Sequence, residues 1–253
     1  MRDNPMKKKL AAGEPALGMW ACLNTEVTLE VAAGLGFDWA LIDCEHGLIH
    51  TEGLLPFLRA AAGHGMATVV RMPSVHELSA FKRVLDMGAE GVLVPLVRTA
   101  EEVAAVVAEC KYPPAGNRGI ASHRAHGYGT DFMDYFQRAN DNVFVAVQIE
   151  TAEAMENVEA IAAVDGLDGL FVGPADLSAA FGKPFDTQSQ VFQDAIDRVL
   201  AACKAAGKPA GIYCHGPDDA KQWLQRGFTF VNVCNDQSTL VRGIRSALEE
   251  MRD

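Results

Sequence analysis

"VHELSAFKRVLDMGAEGVLVPLV", Val75 to Val97, holds one full unit of the pattern that decides the fold. Leu78, Phe81, Val84 and Leu85 share one face of a helix, with charges on the other. Gly88 follows, where a left-handed C-terminal turn favours a residue without a Cβ. "GVLVPLV" is then short, apolar and β-branched, and reads as a strand buried on both faces.

The same unit recurs around the chain. Strand-like runs occupy 17–22, 38–43, 67–71, 91–97, 143–150, 168–173, 208–214 and 228–234. Helical patterns fall near 25–35, 51–62, 75–87, 99–111, 151–163, 189–206, 217–226 and 238–251, and Gly36, Gly65, Gly88, Gly207 and Gly227 punctuate their ends. Length alone fits one barrel or two modest domains. Eight alternations without a linker predict one (β/α)8 TIM barrel over residues 1–253. A doubly wound open sheet is the alternative, but no G-x-G-x-x-G follows the first strand. One connection breaks the rhythm: 113–142 reads as a long loop of lid or subunit-contact type.

Composition narrows the function. The formal charge of −11 argues against nucleic-acid binding, and the one basic run, Lys7 to Lys9, reads as a solvated helix face. No 18-residue apolar stretch and no signal-peptide core appear, so neither a membrane span nor export is expected, and a cytoplasmic location is. Six cysteines, at 22, 44, 110, 203, 214 and 234, form no C-x-x-C pair and read as reduced, mostly buried thiols.

In a barrel of this type the C-terminal strand ends gather the chemistry at one rim. The polar residues there are Trp20, Asp43, Glu45, His46, Arg71, Gln148, Glu150 and Asp176. Glu150 and Asp176 close consecutive strands, whose spacing of roughly 5 Å lets two carboxylates share a hard cation such as Mg2+ or Mn2+ with open positions. Each has a simpler reading as a partner for the helix turn that follows it. Gly173 to Asp176 would present backbone N–H groups to a small carboxylate. In "DCEHG" Asp43 would hold one imidazole nitrogen of His46 and leave the other as a general base, while the plainer alternative has Asp43 capping the turn. Arg71 would face an oxyanion, or else form a structural salt bridge with Asp43 or Asp86. His64 and His76 are expected at the surface, and His123, His126 and His215 remain open.

These segments, with "FDWALIDCEHG", "VVRMP", "YPPAGNRGI", "VQIET" and "DGLFVGPADLSAAFG", resemble the metal-dependent pyruvate aldolases of the HpcH/HpaI type from about Leu17 to Ala247. "SHRAHGYG" leans toward the sugar-acid branch, which acts on 2-dehydro-3-deoxyglucarate, rather than the branch acting on 4-hydroxy-2-oxoheptanedioate. The resemblance implies a carbon–carbon lyase that cleaves 4-hydroxy-2-oxoacids to pyruvate and an aldehyde, without a Schiff-base lysine. It also implies a divalent cation (Mg2+, Mn2+ or Co2+) on Glu150 and Asp176, with the 2-oxoacid against Gly173, Ala175 and Gln148, near Trp20. His46, oriented by Asp43, is implied as base and Arg71 as enolate stabiliser. Hexamers with exchanged helices are implied too, so that Asp86 reaches a neighbouring site. Two segments depart from the pattern: Tyr213, Cys214 and His215, and Asn232, Cys234 and Asn235, replace small or apolar residues. The rival expectations are a lyase of CoA thioesters, a phosphoenolpyruvate-handling barrel, and a barrel that only binds a 2-oxoacid.

Overall fold

The computed structural model describes residues 3–252. The chain runs α1 (Pro5–Ala11), β1 (Ala16–Ala21), α2 (Val27–Leu35), β2 (Trp39–Asp43), α3 (Leu54–Ala60), β3 (Ala67–Arg71) and α4 (Leu78–Asp86). Next come β4 (Gly91–Val94), α5 (Ala100–Cys110), α6 (Phe132–Asn142), β5 (Phe144–Ile149), α7 (Ala152–Glu156), α8 (Val158–Ala162) and β6 (Gly169–Val172). It closes with α9 (Pro174–Ala180), α10 (Gln190–Ala206), β7 (Ala210–Ile212), α11 (Pro217–Arg226), β8 (Phe230–Asn235) and α12 (Asp236–Glu250). All eight strands are parallel, each hydrogen-bonded to the next, and β8 pairs with β1 to close the barrel. This is the (β/α)8 barrel the alternation predicts.

The two-residue period of the strands sorts their side chains into two cores. Trp39, Leu41, Val69, Leu93, Phe144, Ala146, Phe171 and Phe230 point inward and pack together. Their neighbours Ala40, Ile42, Val70, Val92, Val145 and Leu170 point outward against the helices. Rings fill the interior, with Phe230 5.6 Å from Phe144 and 5.5 Å from Phe171. They fit because glycine stands opposite: a Cβ at Gly18 would fall on the Trp39 indole, and one at Gly211 between Phe171 and Phe230. The five helix-terminating glycines have φ from 65° to 114°, the left-handed turn expected of them.

Three expectations are corrected. Lys7 to Lys9 is not simply a solvated face: it lies on α1, which plugs the N-terminal mouth of the barrel. Met6 joins the interior cluster, and Lys7 and Lys9 pair with Asp168 at 2.6 Å and Asp38 at 2.8 Å. Strand starts converge there, so their carboxylates meet the helix. Residues 113–142 are not one loop, since the second half forms a 3-10 turn at 124–129 and α6. Tyr112, Tyr135 and Ala139 form their own small apolar cluster, which repays the helix for its ordering. The predicted helix over 151–163 divides into α7 and α8 at Asn157, whose side chain donates to Arg98 O at 3.0 Å.

Among the described residues no helix is long and apolar enough to cross a membrane. The six cysteines are free thiols, five of them buried. Burial pushes Cys22, Cys44, Cys110 and Cys203 up to about 12 and raises Cys214 also. A thiol reagent such as Ellman's is therefore expected to titrate about one thiol in the native protein, Cys234, and all six once the chain is unfolded. Rapid native titration of several would contradict this packing.

Candidate active site

The inward parity that places Trp39 and Leu41 in the barrel places Asp43 at its C-terminal mouth, and the same holds for Val69 and Arg71. Strand register then sets Asp43 directly opposite Arg71. Arg71 Nε and Nη2 donate to the two oxygens of Asp43 at 2.9 and 2.5 Å, and Nη1 lies 2.9 Å from Glu45 Oε2 and 3.5 Å from Gln148 Oε1. The guanidinium also lies over the Trp20 ring at 4.9 Å.

Asp43 is saturated. Beyond Arg71 it accepts from Trp20 Nε1 at 3.1 Å and from the backbone N–H groups of Glu45 and His46 at 3.0 and 3.2 Å. Burial acts to raise its carboxyl, but the Arg71 guanidinium and these donors outweigh it and hold it below the usual carboxylate value. The expected contact of Asp43 with the His46 imidazole is thus replaced by one with the His46 backbone. Both plain alternatives, the turn cap and the Arg71 salt bridge, describe Asp43. The His46 ring stands in the pocket mouth, 70% exposed, with Glu45 Oε2 3.9 Å from Nε2. Glu45, left without a role in the sequence, links Arg71 to His46; its spacing two residues beyond Asp43 was the available signal.

Opposite lie the carboxylates from β5 and β6. Thr151 caps α7 by accepting from Ala154 N–H, so Glu150 is not that cap. It turns inward, 3% exposed, beneath the pocket wall. Glu150 Oε2 accepts from Gln148 Nε2 at 2.7 Å and Oε1 from Leu96 N–H at 2.8 Å. Leu96 has φ 54°, a strained setting for a leucine that nothing in its sequence announces. Gly173 is required here, because a Cβ would fall on the Glu150 carboxylate. Burial, together with the negative charges of Glu45 and Asp176 and against the pull of the Leu96 N–H, pushes Glu150 up to about 7. Asp176 is exposed in the first turn of α9 and lines the pocket.

The pocket encloses about 260 Å³. It brings together Trp20, Asp43, His46, Arg71, Gln148, Gly173, Ala175 and Asp176, far apart in sequence. Asp86 is not among them: its carboxylate takes Arg118 Nη2 at 2.6 Å, under the 113–142 segment. His64 and His76 are exposed, as expected, whereas His126 is fully buried with Tyr112. Among the described residues no cluster of three or more His, Cys, Asp or Glu forms a protein-only metal cage. Glu150 and Asp176 nonetheless fit a hard cation. They offer oxygen donors only, and a cation would offset both the burial and the neighbouring negative charges that raise Glu150.

Replacing Asp43 by Asn would leave the Arg71 charge buried with Glu45 as its remaining anion, so a loss of about 3–5 kcal/mol is expected, read from the urea midpoint. A midpoint within experimental scatter of the parent would show that the pair is not structural.

Comparisons with known proteins agree with this geometry. The HpcH/HpaI aldolase/citrate lyase family profile matches residues 16–242. The chain is 42% identical to the 5-keto-4-deoxy-D-glucarate aldolase of Klebsiella pneumoniae over 251 residues, 99% of this chain and 96% of that one. A solved HpcH/HpaI aldolase/citrate lyase family protein from Burkholderia cenocepacia superposes with TM-score 0.93 at 38% identity, covering 99% of this chain and all of that one. The HpcH/HpaI aldolase of Desulfitobacterium hafniense superposes with TM-score 0.89 at 27% identity, over 98% and 96% of the two chains. The strand-end carboxylates and the buried guanidinium thus sit in a chain that belongs to the HpcH/HpaI aldolase/citrate lyase family of carbon–carbon lyases.

Proposed function

We propose that the chain is a class II pyruvate aldolase that reversibly cleaves a 4-hydroxy-2-oxoacid, of the 2-dehydro-3-deoxyglucarate type, to pyruvate and an aldehyde. The observation that carries this reading is the convergence at one mouth of the barrel of a buried guanidinium, an exposed imidazole and the Asp176 carboxylate in one small pocket, with the Glu150 carboxylate buried beneath its wall. The sugar-acid branch is supported by the relative named as a 5-keto-4-deoxy-D-glucarate aldolase.

Glu150 and Asp176 would hold the divalent cation, Mg2+, Mn2+ or Co2+. The ion supplies Lewis-acid polarisation of the 2-oxo group. Gln148 and the backbone at Gly173 and Ala175 seat the carboxylate of the 2-oxoacid. His46 takes the proton from the C4 hydroxyl; as the C3–C4 bond breaks, its electron pair moves into the pyruvate enolate and the aldehyde leaves. Arg71 would stabilise the enolate charge alongside that cation, and Asp43 acts as the positioning residue that fixes its fork. The enolate regains a proton at C3, which balances the reaction. The free thiols suit the reducing cytoplasm.

Assembly belongs to the same reading. α12 is exposed along its length, with Leu240, Val241, Ile244 and Leu248 uncovered, a face suited to exchange between barrels in a hexamer. Asp86 would approach a neighbouring subunit's site in that assembly.

After EDTA treatment, pyruvate release from 2-dehydro-3-deoxyglucarate, coupled to lactate dehydrogenase, is expected to vanish and to return with Mg2+, Mn2+ or Co2+. No pyruvate from this substrate or from 4-hydroxy-2-oxoheptanedioate under any metal would sink the reading and favour a CoA-thioester lyase. His46→Ala is expected to lower kcat about 100-fold or more while metal and pyruvate still bind; unchanged turnover would remove its role. Ile244→Asp should shift the particle to smaller species in light scattering, and an unaltered mass would refute the role given to α12.

A further inference from the structure

The turn between β4 and α5 carries a strain that its own side chain does not offset. Leu96 holds φ 54°, in the left-handed region that residues other than Gly, Asn and Asp avoid because Cβ crowds the following carbonyl. It is 46% exposed between the buried Pro95 and Val97, so its side chain gains little from the setting. What the conformation achieves is a direction for the backbone: the Leu96 N–H donates to Glu150 Oε1 at 2.8 Å. Among the described residues, two other non-glycine residues have positive φ, Tyr128 and Phe185, and their N–H groups meet a carbonyl and a hydroxyl. Leu96 alone of the three serves a carboxylate.

We propose that Leu96 is a positioning residue for the divalent cation: its left-handed backbone fixes the Glu150 carboxylate in place as a ligand, and metal affinity depends on it. The inference rests on the reading of Glu150 and Asp176 as the metal pair, and adds the backbone group that sets one of them. Metal-binding carboxylates depend on such outer hydrogen bonds, because a ligand already held loses less freedom when the ion binds. The other donor on Glu150, Gln148 Nε2 at 2.7 Å, belongs to a side chain that also meets Arg71 Nη1 at 3.5 Å and has the substrate carboxylate to seat. The Leu96 donor has one direction, set by the chain.

The turn is stitched to the segment that carries Glu150. Thr151, the next residue, donates from Oγ1 to Val97 O at 3.4 Å, and Asn157 Nδ2 donates to Arg98 O at 3.0 Å. The Arg98 N–H reaches Glu102 Oε2 at 2.7 Å, and Thr99 caps α5 at the Glu102 N–H, 3.3 Å. Turn and ligand are thus tied to one another, which is how a strained backbone persists. On the far side Gly173 leaves the space that the carboxylate fills, since a Cβ there would fall on Glu150 Oε2.

The test reads Mn2+ binding to the metal-free protein without substrate, from the electron paramagnetic resonance signal of the free ion. The urea midpoint is taken beside it, because a merely structural turn would lower the midpoint without moving the affinity. Glu150→Gln comes first: a parent that binds no Mn2+, or binding that this variant leaves unchanged, would overturn the metal reading and this inference with it. Replacing Leu96 by its α-hydroxy acid turns the Pro95–Leu96 amide into an ester, which removes the N–H and keeps the side chain. That protein is expected to bind Mn2+ about ten-fold more weakly. Side-chain variants should follow tolerance for the left-handed region: Leu96→Val about ten-fold weaker, Leu96→Gly and Leu96→Asn within about two-fold of the parent. Parental affinity in the ester protein would overturn the role, whatever its urea midpoint. A loss in the Gly and Asn variants equal to that in Val would overturn it too, since the side chain would then be what matters. Should Leu96→Val fail to fold, the ester keeps the native side chain and decides.

Discussion

The ion pair between Asp43 and Arg71 is the contact on which the mouth of the barrel depends. Strand register places the two residues as direct neighbours, and inward parity buries both. A guanidinium there costs a large desolvation penalty unless its donors are met. Asp43 meets two, Glu45 and Gln148 share another, and the Trp20 ring covers its face. Opposition of these charges keeps the Arg71 fork in one orientation. It also commits Asp43, which is why His46 finds Glu45 and not Asp43 beside its ring.

Around that pair the site is short of positive charge. Glu45 and Glu150 share one guanidinium, and burial raises both carboxyls, Glu150 to about 7. The crowding is built in by backbone features: the missing Cβ of Gly173, and the left-handed Leu96 that turns its N–H onto Glu150. Such strain persists only where surrounding structure holds it, and here it holds a carboxylate beneath the pocket wall.

The opposite mouth is treated differently. There α1 seals the interior with Met6, and Lys7, Lys9 and Lys111 neutralise the acidic strand starts Asp38 and Asp168. The 113–142 segment packs its aromatic cluster against α4 through Arg118 and Asp86. The sealed, charge-paired mouth and the open pocket lie at opposite ends of the barrel, as parallel strands that all run one way allow.

The sequence by itself determined the barrel, its strand order and most of the residues that its C-terminal mouth brings together, Asp86 excepted. Those follow from local quantities: the alternation of two periods, the glycines that end helices, and the fact that parallel strands deliver their last residues to one face. The sequence did not reveal α6, because its pattern is interrupted by polar and aromatic residues that pack only on Tyr112 and its neighbours. Nor did it reveal that α1 is a plug, since the anions that pair with its lysines lie far along the chain. Above all, "DCEHG" offered Asp43 as the partner of His46 by spacing, and only the tertiary structure decided otherwise. Register across β2 and β3 brings a buried guanidinium to Asp43, and a fixed cation in a low-dielectric interior takes the carboxylate ahead of an exposed imidazole.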